Sequence, residues 1–286
     1  MKNKYFDRWE FKQANSIIET NPLEAKLKFE QYLEKYPEDY STYYYYASVL
    51  IILGDLDVAE KVLNFVEEKA NNNKEFTNDL KKVNILNYGI LFNRLRILSY
   101  KGDYEEFYRI YTQNINLTAN MDINHCLFYC KQKLGKLDNE IREQNPYLFR
   151  QIIEYKESDF LKHIKKHLYD HKIQMPNESF FFADFPIDKI IEEIKLYIPS
   201  SKKLCFGFFQ DVYAFKYNNC GTDINKLADY FKVICLHNTA NFITIFPSSK
   251  CQNFPYIDLN YLACDNKNKV KKLSQTEKFN MRYKKN

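Results

Sequence analysis

Glycine is scarce in this chain, with six in 286 residues. None of them forms a GxxxxGK[ST] phosphate loop, a GxGxxG turn or a GxSxG elbow. That excludes the usual nucleotide-binding and α/β-hydrolase chemistries, so no nucleotide cofactor is expected. The seven cysteines, at 126, 130, 205, 220, 235, 251 and 264, are odd in number and include no CxxC pair. Neither a disulfide framework nor a common zinc site follows, and the thiols are expected to be buried or idle. No apolar run approaches the roughly 18 residues needed to span a bilayer. The start, Met1 to Glu10, is polar, aromatic and charged, unlike a secretory leader. A cytoplasmic chain with no membrane partner is the expectation.

Positive charge is unevenly spread. Residues 1–150 carry 21 Lys and Arg against 22 Asp and Glu, while residues 151–286 carry 21 against 15. A neutral half joined to a basic half suggests that the second meets an anionic partner such as nucleic acid. The length suits two domains, each large enough for its own core.

In the first half, small and apolar residues recur at helix-hairpin spacing. Ala25, Phe29, Tyr32 and Pro37 lie along one helix and the turn after it. Tyr43, Tyr46, Ala47 and Leu50 mark the next helix, Gly54 a turn, and Ala59, Leu63 and Val66 the packing face of a third. Gly102-Asp103-Tyr104 and Leu134-Gly135-Lys136-Leu137 echo the turn at Gly54-Asp55-Leu56. The intervals are 48 and 33 residues, so the first implies lengthened helices or an insertion near Asn71-Asn72-Asn73. Arg94 and Phe107 depart from the pattern. Residues 1–150 resemble the tetratricopeptide superfamily in this phase. The resemblance implies an all-α array of three to four hairpins whose groove takes a protein or peptide segment. The aromatic run Tyr43 to Tyr46 could line such a groove, although helix packing is the better expectation for it.

The second half changes period. A helical pattern runs from Pro146 through Ile152, Ile153, Phe160, Ile164 and Leu168 to Met175-Pro176, and another covers Asp188 to Ile198. Four strands follow, at Leu204–Phe209, Val212–Tyr217, Tyr230–Leu236 and Phe242–Phe246, with a turn at Asn218-Asn219-Cys220-Gly221. The expected fold is a small α+β domain, residues 151–266, with a four-stranded antiparallel sheet and helices on one face. Residues 267–286 form a basic tail. The His-bearing helix, the helix ending in Pro199, the aromatic strands and the closing Asn241-Phe242-Ile243-Thr244-Ile245-Phe246-Pro247 resemble the metal-independent ribonucleases grouped with barnase, EndoU-type nucleases, colicin RNases and RelE toxins. That resemblance implies an RNA-cleaving effector of toxin or phage-defence type, acting on RNA such as tRNA without metal or cofactor.

Such cleavage needs a base for the ribose 2′-hydroxyl, a cation or donors for the phosphate, and an acid for the leaving oxygen. His163, His167 and His171 recur at helical spacing, and the first two border the apolar stripe, where an imidazole can stay near neutral pKa. His167 is the first candidate for base or acid and His163 the second, with Lys166 beside them for substrate. Lys216 is the best-placed strand cation, with Lys232 behind it. The resemblance assigns Thr244 to a phosphate. The loop residues His237 and Thr239 offer a second imidazole and hydroxyl for substrate. A metal reading of the helical histidines lacks an HExxH or cysteine pairing. The rival to catalysis is an adaptor, in which the array binds a peptide and the basic domain is a second binding module. A frayed tail and an RNA clamp are equally open for residues after Asn266.

Overall fold

The computed structural model describes residues 8–118, 123–137, 154–165, 168, 179–224 and 226–266, with the single positions 143, 146 and 150. The chain divides into two compact units. One is Met1–Glu154 with Leu204–Gln210, and the other is Tyr155–Lys203 with Asp211–Asn286. Among the described residues no helix is long and apolar enough to cross a membrane.

The first unit is a helical array: α1 (Trp9–Ser16), α2 (Pro22–Lys35), α3 (Tyr40–Leu53), α4 (Leu56–Asn71), α5 (Lys74–Thr77), α6 (Leu80–Lys101), α7 (Tyr104–Gln113), α8 (Ile115–Thr118) and α9 (Asn124–Lys133). The small residues identified in the sequence are where helices meet. Ala25, Ala47 and Ala59 are each fully buried, Ala25 in a cluster with Phe11 and Phe29, and Ala47 and Ala59 in one with Leu63 and Ile90. The glycine turns share one geometry. Gly54, Gly102 and Gly135 have φ of 86°, 77° and 64°, the left-handed region that closes a helix. In each, the next amide reaches back to the carbonyl five residues earlier: Asp55 to Leu50, Asp103 to Leu98 and Lys136 to Lys131. The long first interval has two sources, the short helix α5 and the 22-residue α6. Phe107 is fully buried, while Arg94 forms a bidentate pair with Glu67 at 3.2 and 2.7 Å on the surface. The Tyr43 to Tyr46 run is half-buried and packs against the helix cores, with Tyr44 stacked on Tyr45 at 4.3 Å.

The domain limits and one strand differ from expectation. The first unit extends to Glu154 and also takes residues 204–210, read from sequence as a strand of the second domain. Of the expected strand Leu204–Phe209, Leu204–Phe206 is strand. The cause is a buried cation. Arg96, 3% exposed, gives its Nε to the Gly207 carbonyl at 2.8 Å and an Nη to the Cys205 carbonyl at 3.2 Å, with Ser48 and Asn93 taking others. Ser99 bonds the Phe208 carbonyl, and Phe208 and Phe209 pack on Phe92, Tyr104 and Tyr129. A guanidinium out of water needs such acceptors, and burying two phenylalanines adds about 2 kcal/mol each.

The second unit is α+β. Its elements are α10 (Glu157–Lys165), β1 (Phe180–Phe181), α11 (Ile187–Tyr197), β3 (Gln210–Asp223), β4 (Lys226–Leu236), β5 (Phe242–Pro247) and β6 (Tyr256–Asp258), the Leu204–Phe206 strand being β2. Strand order is β1-β3-β4-β5, antiparallel between β1 and β3 and between β4 and β5, and β6 runs parallel to β3. The expected turn at 218–221 lies inside β3. Asn219 takes a φ of 57° with its amide on Asp229 Oδ1 at 2.8 Å, which accommodates a local irregularity without ending the strand. The hairpin reverses later, at Ile224. Phe160 and Ile164 of α10 and Ile187, Ile190, Ile191 and Ile194 of α11 share one core with Tyr213, Phe215 and Tyr217 of β3, Phe231, Val233 and Cys235 of β4, and Phe242 and Ile245 of β5. Both helices therefore cover one face of the sheet.

Candidate functional site

Where β3 begins and β4 ends, three polar side chains of the second unit meet around a carboxylate that is wholly out of solvent. Asp211 is 0% exposed. Its Oδ1 lies 2.6 Å from Nδ1 of His237, and its Oδ2 takes Lys203 Nζ at 2.7 Å and the Asn238 amide at 3.0 Å. Lys203 also reaches Asn238 Oδ1 at 2.7 Å. Burial pushes the Asp211 carboxyl up, but the bonds from His237, Lys203 and the Asn238 amide outweigh it and hold the group below the usual carboxylate range. An ionised Asp211 only accepts, so His237 Nδ1–H donates to it.

The loop that presents His237 is built locally. Asn238 adopts a φ of 54°, which asparagine tolerates better than most residues. The Thr239 hydroxyl donates to the Leu236 carbonyl at 2.7 Å and accepts from the Asn241 amide at 3.1 Å. Leu236 N donates to Asn241 O at 3.0 Å, closing the reversal. Thr239 is thus engaged in shaping the loop. On the inner side, Tyr155 OH accepts from the Phe242 amide at 3.2 Å, and burial pushes both the Tyr155 phenol and the Cys235 thiol up to about 12.

Of the other described residues singled out from sequence, His163, Lys216, Lys232 and Thr244 are not among the groups that bond Asp211. His163 is half-buried on α10, the helix whose Phe160 and Ile164 cover the core face of the sheet. Side chains alternate along a strand. Because Phe215, Tyr217, Phe231, Val233 and Ile245 point to the core, Lys216, Lys232 and Thr244 belong to the opposite face. The sheet lies between His163 and the lysine–threonine set. His167, Lys166 and His171 lie outside the described residues, as does the tail 267–286. A groove of about 450 Å³ beside α10 and α11 is lined by Leu161, Ile191 and Leu262 and rimmed by Asp188, Lys189, Glu192 and Glu193, a net acidic rim. It holds none of the predicted residues, and its acidic rim disfavours a phosphate.

Asp211 and Lys203 went unnoticed in the sequence. The available signal is a lone acid between Phe209 and the apolar run Val212 to Phe215, since a carboxylate in such a setting needs a partner. Cysteines 126, 130, 205, 220, 235 and 251 are all buried. No protein-family model, curated protein or solved structure matches this chain.

Proposed function

We propose that the second unit is a metal-independent endoribonuclease of toxin or phage-defence type, acting in the cytoplasm, and that the first is a tetratricopeptide-like scaffold for a protein or peptide partner. The Asp211–His237 pair carries this reading. His237 Nε2 takes the ribose 2′-hydroxyl proton, the 2′-oxygen attacks the adjacent phosphorus, and the 5′-oxygen departs with a proton. The products are a 2′,3′-cyclic phosphate and a 5′-hydroxyl. Asp211 holds the imidazole in the tautomer that this step needs, and Lys203 adds positive charge to the same corner. His163 and His167 are the candidates for the acid on the leaving side. The resemblance to barnase-, colicin- and RelE-type ribonucleases and the basic balance of the second half support the same reading.

The test is cleavage of RNA by the full chain in EDTA, followed by analysis of the ends. The expected outcome is cyclic-phosphate product from the parent and a loss of about a hundredfold or more in His237→Ala. Asp211→Asn is expected to lose activity as well, through the tautomer, while binding RNA as tightly as the parent. An inactive parent, or a fully active His237→Ala, would overturn the reading. The adaptor is the second reading. It is favoured by the sheet that separates His163 from Lys216 and Thr244, and it predicts peptide binding by the first unit with no RNA cut at all.

A further inference from the structure

The face of the sheet opposite α10 and α11 carries a pattern that the cleavage reading does not use. Tyr256 of β6 pairs with Ala214 of β3 and is 43% exposed. Tyr230 of β4 meets it edge to face, with centroids 5.2 Å apart and planes at 75°. Lys216, on the same face as Ala214, places its Nζ 6.0 Å from the Tyr256 ring centre. Lys232, two residues beyond Tyr230 on the same face of β4, lies 4.8 Å over the ring of buried Phe254. Aromatic and cationic side chains thus interleave across neighbouring strands. Asp258 beside them is 4.0 Å from Lys216, with its Oδ1 committed to the Asn260 amide and side chain at 2.9 and 2.7 Å, and Asp229, next to Tyr230, takes the Asn219 amide on its Oδ1 at 2.8 Å.

We propose that this face binds single-stranded RNA, with Tyr256 and Tyr230 stacking against bases and Lys216 and Lys232 meeting phosphates. The inference rests on the second unit acting on RNA and names how that RNA is held. A single strand alternates flat, stackable bases with anionic phosphates, and the face alternates rings with ammonium groups. Two lysines on one face, beside acids already engaged by Asn260 and by the Asn219 amide, complement a polyanion better than a mixed-charge peptide. A duplex hides its bases and offers the rings nothing to stack on. Thr244 and Phe246, on the same face of β5, extend the surface.

The experiment measures fluorescence anisotropy of a short labelled oligouridine with full-length His237→Ala protein, which leaves the probe uncut. Tyr256→Ala in that background is expected to weaken binding about tenfold, the usual scale for one stacked base, while Tyr256→Phe retains it. Lys216→Ala with Lys232→Ala is expected to lower the slope of log affinity against log salt by about 1.4, two phosphates at roughly 0.7 each. Duplex RNA of the same length is expected to bind less tightly. The proposal is overturned if both sets of variants bind oligouridine as the background protein does, or if the duplex binds as tightly as the single strand. The two readings fail separately. Binding that follows these expectations without His237-dependent cutting removes the nuclease and keeps the binding face, whereas His237-dependent cutting with unchanged binding removes the face alone.

Discussion

Asp39 and Asp211 are both buried, 2% and 0% exposed, yet their carboxyls move in opposite directions. Asp39 accepts from the hydroxyls of Tyr32 at 2.9 Å and Thr42 at 2.6 Å, and burial still pushes it above its ordinary value. Asp211 has an ammonium and an imidazole on its two oxygens and is held low against the same burial. A depressed folded-state pKa makes its contribution to stability present above the unfolded value, about 3.9, and lost as pH falls through the folded value. Asp211→Ala is therefore expected to cost about 3 kcal/mol at pH 6, the scale for breaking a buried pair. The difference from the parent should shrink in thermal melts below pH about 4; a pH-independent difference would contradict the assignment. Local sequence could not reveal this pair. His237 follows Asp211 by 26 residues, and only the pairing of strands brings them together. The helical histidines were visible for the opposite reason, since their spacing is local. Only His163 falls in the described helix α10, and which face of the sheet that helix covers is not a local property.

At the scale of elements, the helical turns at Gly54, Gly102 and Gly135 were legible because each holds a glycine whose left-handed backbone is a local requirement. The β hairpin was less so. Asn218-Asn219-Cys220-Gly221 has turn composition, but pairing with β4 carries the strand through it to Asp223. Helix α6 offers a test in which two effects have opposite signs. Propensity alone says that Gly89→Ala should stabilise a helix interior by roughly 1 kcal/mol. A Cβ at Gly89 would lie 2.4 Å from Cγ of Tyr44, at the root of a ring that is itself stacked on Tyr45. Overpacking of this kind costs about 1–3 kcal/mol, so the close approach wins and the melting temperature should fall. An unchanged or raised melting temperature would contradict the packing of α3 on α6.

At the scale of the whole molecule, composition and period were enough to place a helical array before an α+β unit, and that is the architecture observed. The exact limits were not available, because residues 204–210 read as one more aromatic strand. Their place in the first unit depends on Arg96, more than a hundred positions away in the chain. The positive balance of the second half is likewise a property of the whole chain, and it gives weight to an anionic substrate without saying where that substrate reacts. The measurement that bears most directly on the account uses an RNA oligomer in chelator, compared with the same oligomer methylated at its 2′-oxygens. The account predicts that the parent protein cuts the first to a 2′,3′-cyclic phosphate, leaves the second intact, and loses the activity on His237→Ala while keeping its fold. Equal cutting by parent and variant, or no cutting of either oligomer, would contradict it.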